Sequence, residues 1–295
     1  MVVATGFFDG VHTGHREVLG RLVSEARARG EESMVVTFWP HPRTVLRQEA
    51  RSLRILTSLE EKKEMILGLG VDRVEVIPFD RNFAALTTEQ FLSEYVIGRF
   101  GGKAILLGYD NRIGSDCLTP DEVTAVARRL GLDVVRTDMV PSASGFAVSS
   151  TKIRLALGNG LVGEAAQMLG YNYSLRGVVV AGNRMGRTIG FPTANLHLYD
   201  PLKLVPGNGV YSVLVEVQGE KKAGMCNIGV RPTVGERNAR TIETNIFDFD
   251  EEIYGLDLKV TFLSKIRDEV KFASLDALKE QLEKDRNICL SKGNN

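Results

Sequence analysis

The chain has 295 residues, 43% hydrophobic and 25% charged, which is enough apolar material for two globular cores. Its 37 basic residues balance 37 acidic ones, which excludes charge-driven binding to nucleic acid or an anionic membrane; any phosphate recognition must be local. Cys117, Cys226 and Cys289 form no C-x-x-C pair, Asp9 interrupts the first apolar run, and no apolar stretch nears the roughly 18 residues of a membrane span, so the expected protein is cytoplasmic, without a disulfide framework or zinc knuckle.

The first half alternates strand and helix signals. Residues 2–5 form an apolar run, 16–29 carry Val18, Leu19, Leu22, Val23 and Ala26 at helical spacing, and 34–38 are β-rich. A helix is expected at 58–69, a strand at 73–77, a helix at 88–100, a strand at 104–108, a helix at 120–130 and another strand from 134. This rhythm predicts an α/β domain with a doubly wound parallel sheet. After about residue 158 the pattern changes. A short helix at 162–169 precedes β signals at 175–180, 209–217, 223–228, 241–247 and 256–263. A terminal helix then places Leu275, Leu278, Leu282 and Ile288 on one face. A small antiparallel β-barrel with a C-terminal helix is predicted, giving domains at 1–157 and 171–295 joined by a linker helix at 158–170.

Asp9-Gly10-Val11-His12-Thr13-Gly14-His15 follows the first strand and runs into the first helix. Glycines there allow close backbone approach, and a helix N-terminus attracts an anion. His12 and His15 can donate to phosphate oxygens as charge builds; a metal pair lacks a third ligand, and incidental histidines in a turn are the bland alternative. Far away, Ser149-Ser150-Thr151-Lys152-Ile153-Arg154 reads as a helix N-cap that also gathers hydroxyls and a guanidinium. In the second half, Phe191-Pro192-Thr193-Ala194-Asn195 presents oxygens suited to a hard cation such as Mg²⁺ on ATP phosphates. Glu243 lies among apolar and uncharged neighbours, where a strand places it on the face of Asn245 and Phe247; an exposed strand glutamate is the commoner fate.

G-F-F-D-G-V-H-T-G-H followed by S-S-T-K-I-R resembles the HxGH nucleotidyltransferases, and F-D-G-V-H with W-P-H-P at 39–42 resembles the FMN adenylyltransferase domain of bacterial bifunctional FAD synthetases. G-R-x-x-G-F-P-T-A-N at 186–195 resembles the riboflavin kinase signature, and the likeness continues through P-G-N-G-V-Y, N-I-G-V-R-P-T, Glu243 and R-D-E-V-K-F. The resemblance implies phosphorylation of riboflavin to FMN and adenylylation of FMN to FAD, with Mg²⁺ accompanying ATP and only small molecules as partners. It implies that His12 and His15 stabilise the transferring phosphates, and that Gly6, Phe8, Asp9, Gly10, Gly14, Ser150, Thr151 and Arg154 bind ATP. Asp110, Asn111 and Arg112 would lie at the FMN ring. In the kinase half it implies nucleotide contacts at Gly182, Gly186, Arg187, Thr193 and Asn195, the metal at Thr193 and Asn195, the base at Glu243 and flavin near Arg267. The family's motif around 108–114 usually carries aromatics where Asn111 and Ile113 stand. A kinase with an impaired adenylyltransferase half and a non-catalytic flavin-binding paralogue are the rival expectations.

Overall fold

A computed structural model describes residues 1–46, 53–108, 113–137, 148–182, 185–230 and 240–292. The chain divides into two compact units, Met1–Ser150 and Thr151–Asn295.

In the first unit, five strands, β1 (Val2–Thr5), β2 (Ser33–Trp39), β3 (Arg73–Pro78), β4 (Ala104–Leu107) and β5 (Asp133–Arg136), lie in the order β3-β2-β1-β4-β5. Every pairing is parallel, which is the doubly wound sheet expected from the alternation. Strands β1 and β4 are buried at every position because both faces are covered. Val3, Met34, Val36, Ile105 and Leu107 pack on one side, while Val2, Ala4, Val35, Ala104 and Leu106 pack on the other with Leu19, Leu22 and Val23. Those last three come from helix α1 (Thr13–Ala28).

After β2 come helices α2 (Pro42–Leu46) and α3 (Leu59–Gly68), and after β3 come α4 (Arg81–Ala84) and α5 (Thr88–Gln90). Between β4 and β5 lies α6 (Pro120–Arg129). The starts of α3, α5 and α6 are written locally. Ser58 with Glu61, Thr87 with Gln90 and Thr119 with Glu122 each form a reciprocal capping box, a device of which the N-cap alone contributes about 1 kcal/mol. The helix expected at 88–100 differs in kind: α5 gives way to a π-helix at Phe91–Arg99. Phe91 and Val96, five apart, are both buried, and Tyr95 stacks on Phe91 at 5.9 Å; the wider turn brings those three together.

Helices α7 (Ser150–Gly158) and α8 (Val162–Leu169) lead into the second unit, where Gly170 ends α8 with φ 77°. Six strands close a barrel in the order β10-β7-β6-β11-β8-β9. They are β6 (Ser174–Val180), β7 (Ala194–Leu198), β8 (Gly209–Val217), β9 (Glu220–Val230), β10 (Arg240–Ile246) and β11 (Asp257–Arg267), all antiparallel neighbours. Strand β7 is one more than the sequence signals indicate, since its short alternation, Ala194 and Leu196 inward, follows directly on a glycine-rich segment that reads as loop. A short helix, α9 (Met185–Thr188), occupies that segment. The terminal helix α10 (Leu275–Lys292) turns a different face inward from the leucine stripe. Leu275 is 55% exposed and Ile288 is also exposed, whereas Asp285 and Cys289 are buried. An ion pair sets this rotation: the Arg267 guanidinium grips the fully buried Asp285 carboxylate at 2.8–3.1 Å, and Gln281 donates to the same carboxylate.

Candidate active sites

The loop leaving β1 passes the point where the strand order reverses, the usual ligand crevice of such sheets. Phe8 and Val11 hold positive φ angles of 49° and 36°, a conformation that side-chain-bearing residues avoid outside constrained turns. The constraint is visible. The buried Asp9 carboxylate accepts hydrogen bonds from the amides of Leu56 and Thr57 at 3.0–3.2 Å, and Gly10 donates its amide to the Thr57 hydroxyl. His12 caps α1, its Nδ1 accepting from the His15 amide at 3.4 Å, and the two imidazoles stack with centroids 3.6 Å apart. Burial, then the charges of His12 and Lys62, hold His15 well below the usual histidine range, so its ring is neutral. Its Nδ1 is buried without a partner.

The two distant motifs meet. Ser150, at the start of α7, donates its hydroxyl to the Asp9 carbonyl at 3.0 Å across 141 positions of sequence. Thr151 and Arg154 follow along the same helix. Gly6 and Gly14 flank the turn, Gly6 close under the Phe8 ring. Asp110, Asn111 and Arg112 lie outside the described residues.

A cavity of about 540 Å³ opens beside Gly6 and Phe7, walled by Phe38, Phe79, Phe83, Phe91 and Ile113. Phe83 meets Phe38, Phe79, Phe91 and Tyr95 at 5.3–5.9 Å, so the wall is one continuous aromatic cluster. The family resemblance expects aromatics at 111 and 113. The structure supplies them from β2, the end of β3, α4 and the π-helix, and Ile113 is a buried member of the same core. Their recurrence beside apolar strand ends was the available signal.

In the second unit, Glu243 pairs with Asn227 on one side and Asn195 on the other, making a polar row across β9, β10 and β7. The next row, Thr244 with Cys226 and Tyr211, is fully buried, and burial pushes the Cys226 thiol up to about 12. Alternation along the strand therefore turns Glu243 away from the packed interior. Glu243 and Asn245 line a cavity of about 270 Å³ together with Phe191, Met225, Phe272 and Leu282, apolar walls around a few polar groups. Arg267 lines it as well, with its guanidinium committed to Asp285.

A second, smaller cavity of about 70 Å³ is lined by Gly182, Arg187, Thr193 and Asn195, and the exposed segment Asp250, Glu251, Glu252 rims it. Thr193 borders both cavities. The Asn245 amide donates to the Pro192 carbonyl at 2.6 Å, fixing the turn that carries Thr193. Gly182 runs so close to the Asn195 amide, and Gly186 to the Phe191 carbonyl, that a side chain at either glycine would displace them. Among the described residues no three His, Cys, Asp or Glu side chains gather to hold a metal, and no two cysteines form a disulfide.

One unit is a doubly wound α/β fold with a histidine-bearing helix start and the other is a β-barrel with two adjoining cavities, a combination that fits a two-part nucleotide-dependent transferase. The FAD synthetase family model matches residues 1–152, and the riboflavin kinase model matches 169–291. The bifunctional riboflavin kinase/FMN adenylyltransferase of Bacillus subtilis is 39% identical, over 97% of this chain and 90% of the relative. Its Escherichia coli K12 counterpart is 38% identical over 96% and 90%. A solved structure from Streptococcus pneumoniae, described as a macrolide-efflux protein, is 35% identical with a TM-score of 0.90, covering 98% of this chain and 93% of that one. The chain belongs to the bifunctional riboflavin kinase/FMN adenylyltransferase family. Among the described residues no helix is long and apolar enough to cross a membrane.

Proposed function

We propose that this chain phosphorylates riboflavin to FMN in its second half and joins FMN to the adenylyl group of ATP in its first, releasing pyrophosphate and yielding FAD. The observation that carries the kinase step is Thr193, common to the cavity that holds Glu243 and to the cavity of Gly182 and Asn195. A phosphoryl group passing from one to the other crosses at Thr193. Riboflavin occupies the apolar cavity, Glu243 takes the proton of the ribityl 5′-hydroxyl, and the alkoxide oxygen attacks the γ-phosphorus of ATP as ADP leaves. Gly182, Gly186 and Arg187 cover the nucleotide, and Arg267, anchored by Asp285, borders the flavin.

The Thr193 hydroxyl and the Asn195 carbonyl oxygen are hard neutral donors on the same cavity wall, which suits Mg²⁺ that draws its remaining ligands from phosphates and water. Bound there, Mg²⁺ supplies positive charge to the phosphate oxygens.

For adenylyl transfer, the FMN phosphate oxygen attacks the α-phosphorus directly, so the protein must orient reactants and stabilise charge. His12 and the unpartnered Nδ1 of neutral His15 face that task at the start of α1. Gly6, Phe8, Asp9, Gly10 and Gly14 shape the turn around ATP, and Ser150, Thr151 and Arg154 hold the β and γ phosphates from α7. The aromatic cavity beside Gly6 takes the flavin ring, and Asp110, Asn111 and Arg112 are assigned to FMN binding by the family resemblance. The two functions fall to residues 1–157 and 171–295, joined by 158–170. With ATP and flavins as small-molecule partners, balanced charge and no C-x-x-C pair, we place the protein in the cytoplasm, bound to neither nucleic acid nor membrane.

Incubating the full chain with riboflavin and Mg-ATP, and resolving flavins by chromatography, tests the proposal. FMN that appears and then converts to FAD is expected. FMN that accumulates without FAD would leave a kinase with an impaired first half, and unchanged riboflavin would leave a binding protein.

A further inference from the structure

Helix α3 begins Leu59-Glu60-Glu61-Lys62-Lys63-Glu64, a run that reads as a solvated charged face. Lys62 departs from it: the residue is only 1% exposed. Burying an ammonium is costly unless its charge is used. Its Nζ donates to the Phe7 carbonyl at 3.0 Å and also lies 4.0 Å from the centroid of the Phe7 ring. The His41 ring packs on the same phenyl at 3.9 Å. Phe7 in turn walls the aromatic cavity and immediately precedes Phe8, where the backbone takes its positive φ.

We propose that Lys62 is a positioning residue for adenylyl transfer, clamping the turn 6–10 through both the carbonyl and the ring of Phe7. One side chain thereby fixes the edge of the flavin cavity and the entry to the histidine-bearing helix start. The charged and titratable groups that face it are Asp9, whose carboxylate favours the ammonium, and His15, with His12 stacked beyond; His41 lies across Phe7. The Lys62 charge is also one of the causes that keep the His15 ring neutral. The inference rests on reading the first unit as the adenylyltransferase.

The test uses the full chain, so that the kinase half serves as an internal control. Lys62→Met keeps the stem and removes the ammonium. Two quantities are read: FAD formation from supplied FMN against FMN formation from riboflavin, and the titration of the His15 ring by NMR in ligand-free protein. A loosened turn is expected to lower FAD formation at least roughly 10-fold while the kinase holds, since misplacement by about 1 Å costs as much or more. The His15 midpoint should rise. FAD formation within twofold of the parent, equal loss of both activities, or an unmoved His15 midpoint would each overturn the assignment. If Lys62→Met does not accumulate folded, Lys62→Gln, which keeps a neutral donor near Phe7, reads the same two quantities. A parent chain that makes no FAD would sink the adenylyltransferase reading, while the His15 titration still reports on the clamp.

Discussion

Glu243 and Asn195 are direct partners across the β10–β7 ladder, so the carboxylate and an amide of the glycine-rich segment share one face of the barrel wall. Neither residue is near the other in sequence; closure of the barrel brings them together. Glu243→Gln keeps the shape of the row and removes the carboxylate proposed as base. FMN formation should fall by roughly 10²–10⁴-fold, the usual worth of a general base, with FAD formation from supplied FMN unchanged. Steady-state assays of the two steps check this, and equal loss of both would assign Glu243 to the fold.

His12→Ala or His15→Ala should produce the reverse pattern. Losing one donor to the developing charge is expected to cost about 10²-fold or more in FAD synthesis, with the kinase intact. Zinc rescue of a chelator-treated protein would instead make the pair metal ligands.

The motifs around His12 and Thr193 were legible because they are local: glycines and a helix start within a few residues declare a close backbone approach. What completes each site was not. The Ser150–Asp9 hydrogen bond joins segments 141 apart, and only the folded sheet reveals it. Lys62 hides in a helix whose neighbours are charged and exposed, and Asp285 likewise looks like surface until Arg267 is seen to bury it. The phenylalanines of the aromatic cavity come from four elements, so no single window of sequence contains them. The strand–helix alternation fixed the fold class, while the π-helix depended on which side chains had to be buried together.

That aromatic wall makes its own prediction. Phe83 touches four other rings, and Phe83→Ala removes its share of the stacking surface. At about 0.5–1.5 kcal/mol per good aromatic contact, the Michaelis constant for FMN should rise roughly 2- to 12-fold. The constant for ATP should stay within twofold, and the kinase step should be untouched. An FMN constant indifferent to the change would place the flavin elsewhere.

Lys62 gives the stability of the first unit a pH signature. Burial holds its ammonium down to about 8 against an ordinary 10.5, partly offset by Asp9. Between those values the unfolded chain binds more protons than the folded one, so stability rises with pH across that window. It is flat with respect to Lys62 below it, and the full change is up to about 3 kcal/mol. Denaturant unfolding at pH 7.5 and 10.5 should show the rise in the parent and its absence in Lys62→Met. Identical pH profiles would mean the ammonium is solvated.

The central claim is that one chain holds two separable catalytic sites acting in sequence on a flavin. Mixing two variants tests it most directly: Glu243→Gln, with only the first unit competent, and His15→Ala, with only the second. Supplied with riboflavin and Mg-ATP, the first should leave riboflavin unchanged and the second should stop at FMN, while the mixture should make FAD. FAD from either variant alone at the parent's rate, or none from the mixture, would contradict the assignment of the two steps to these two sites.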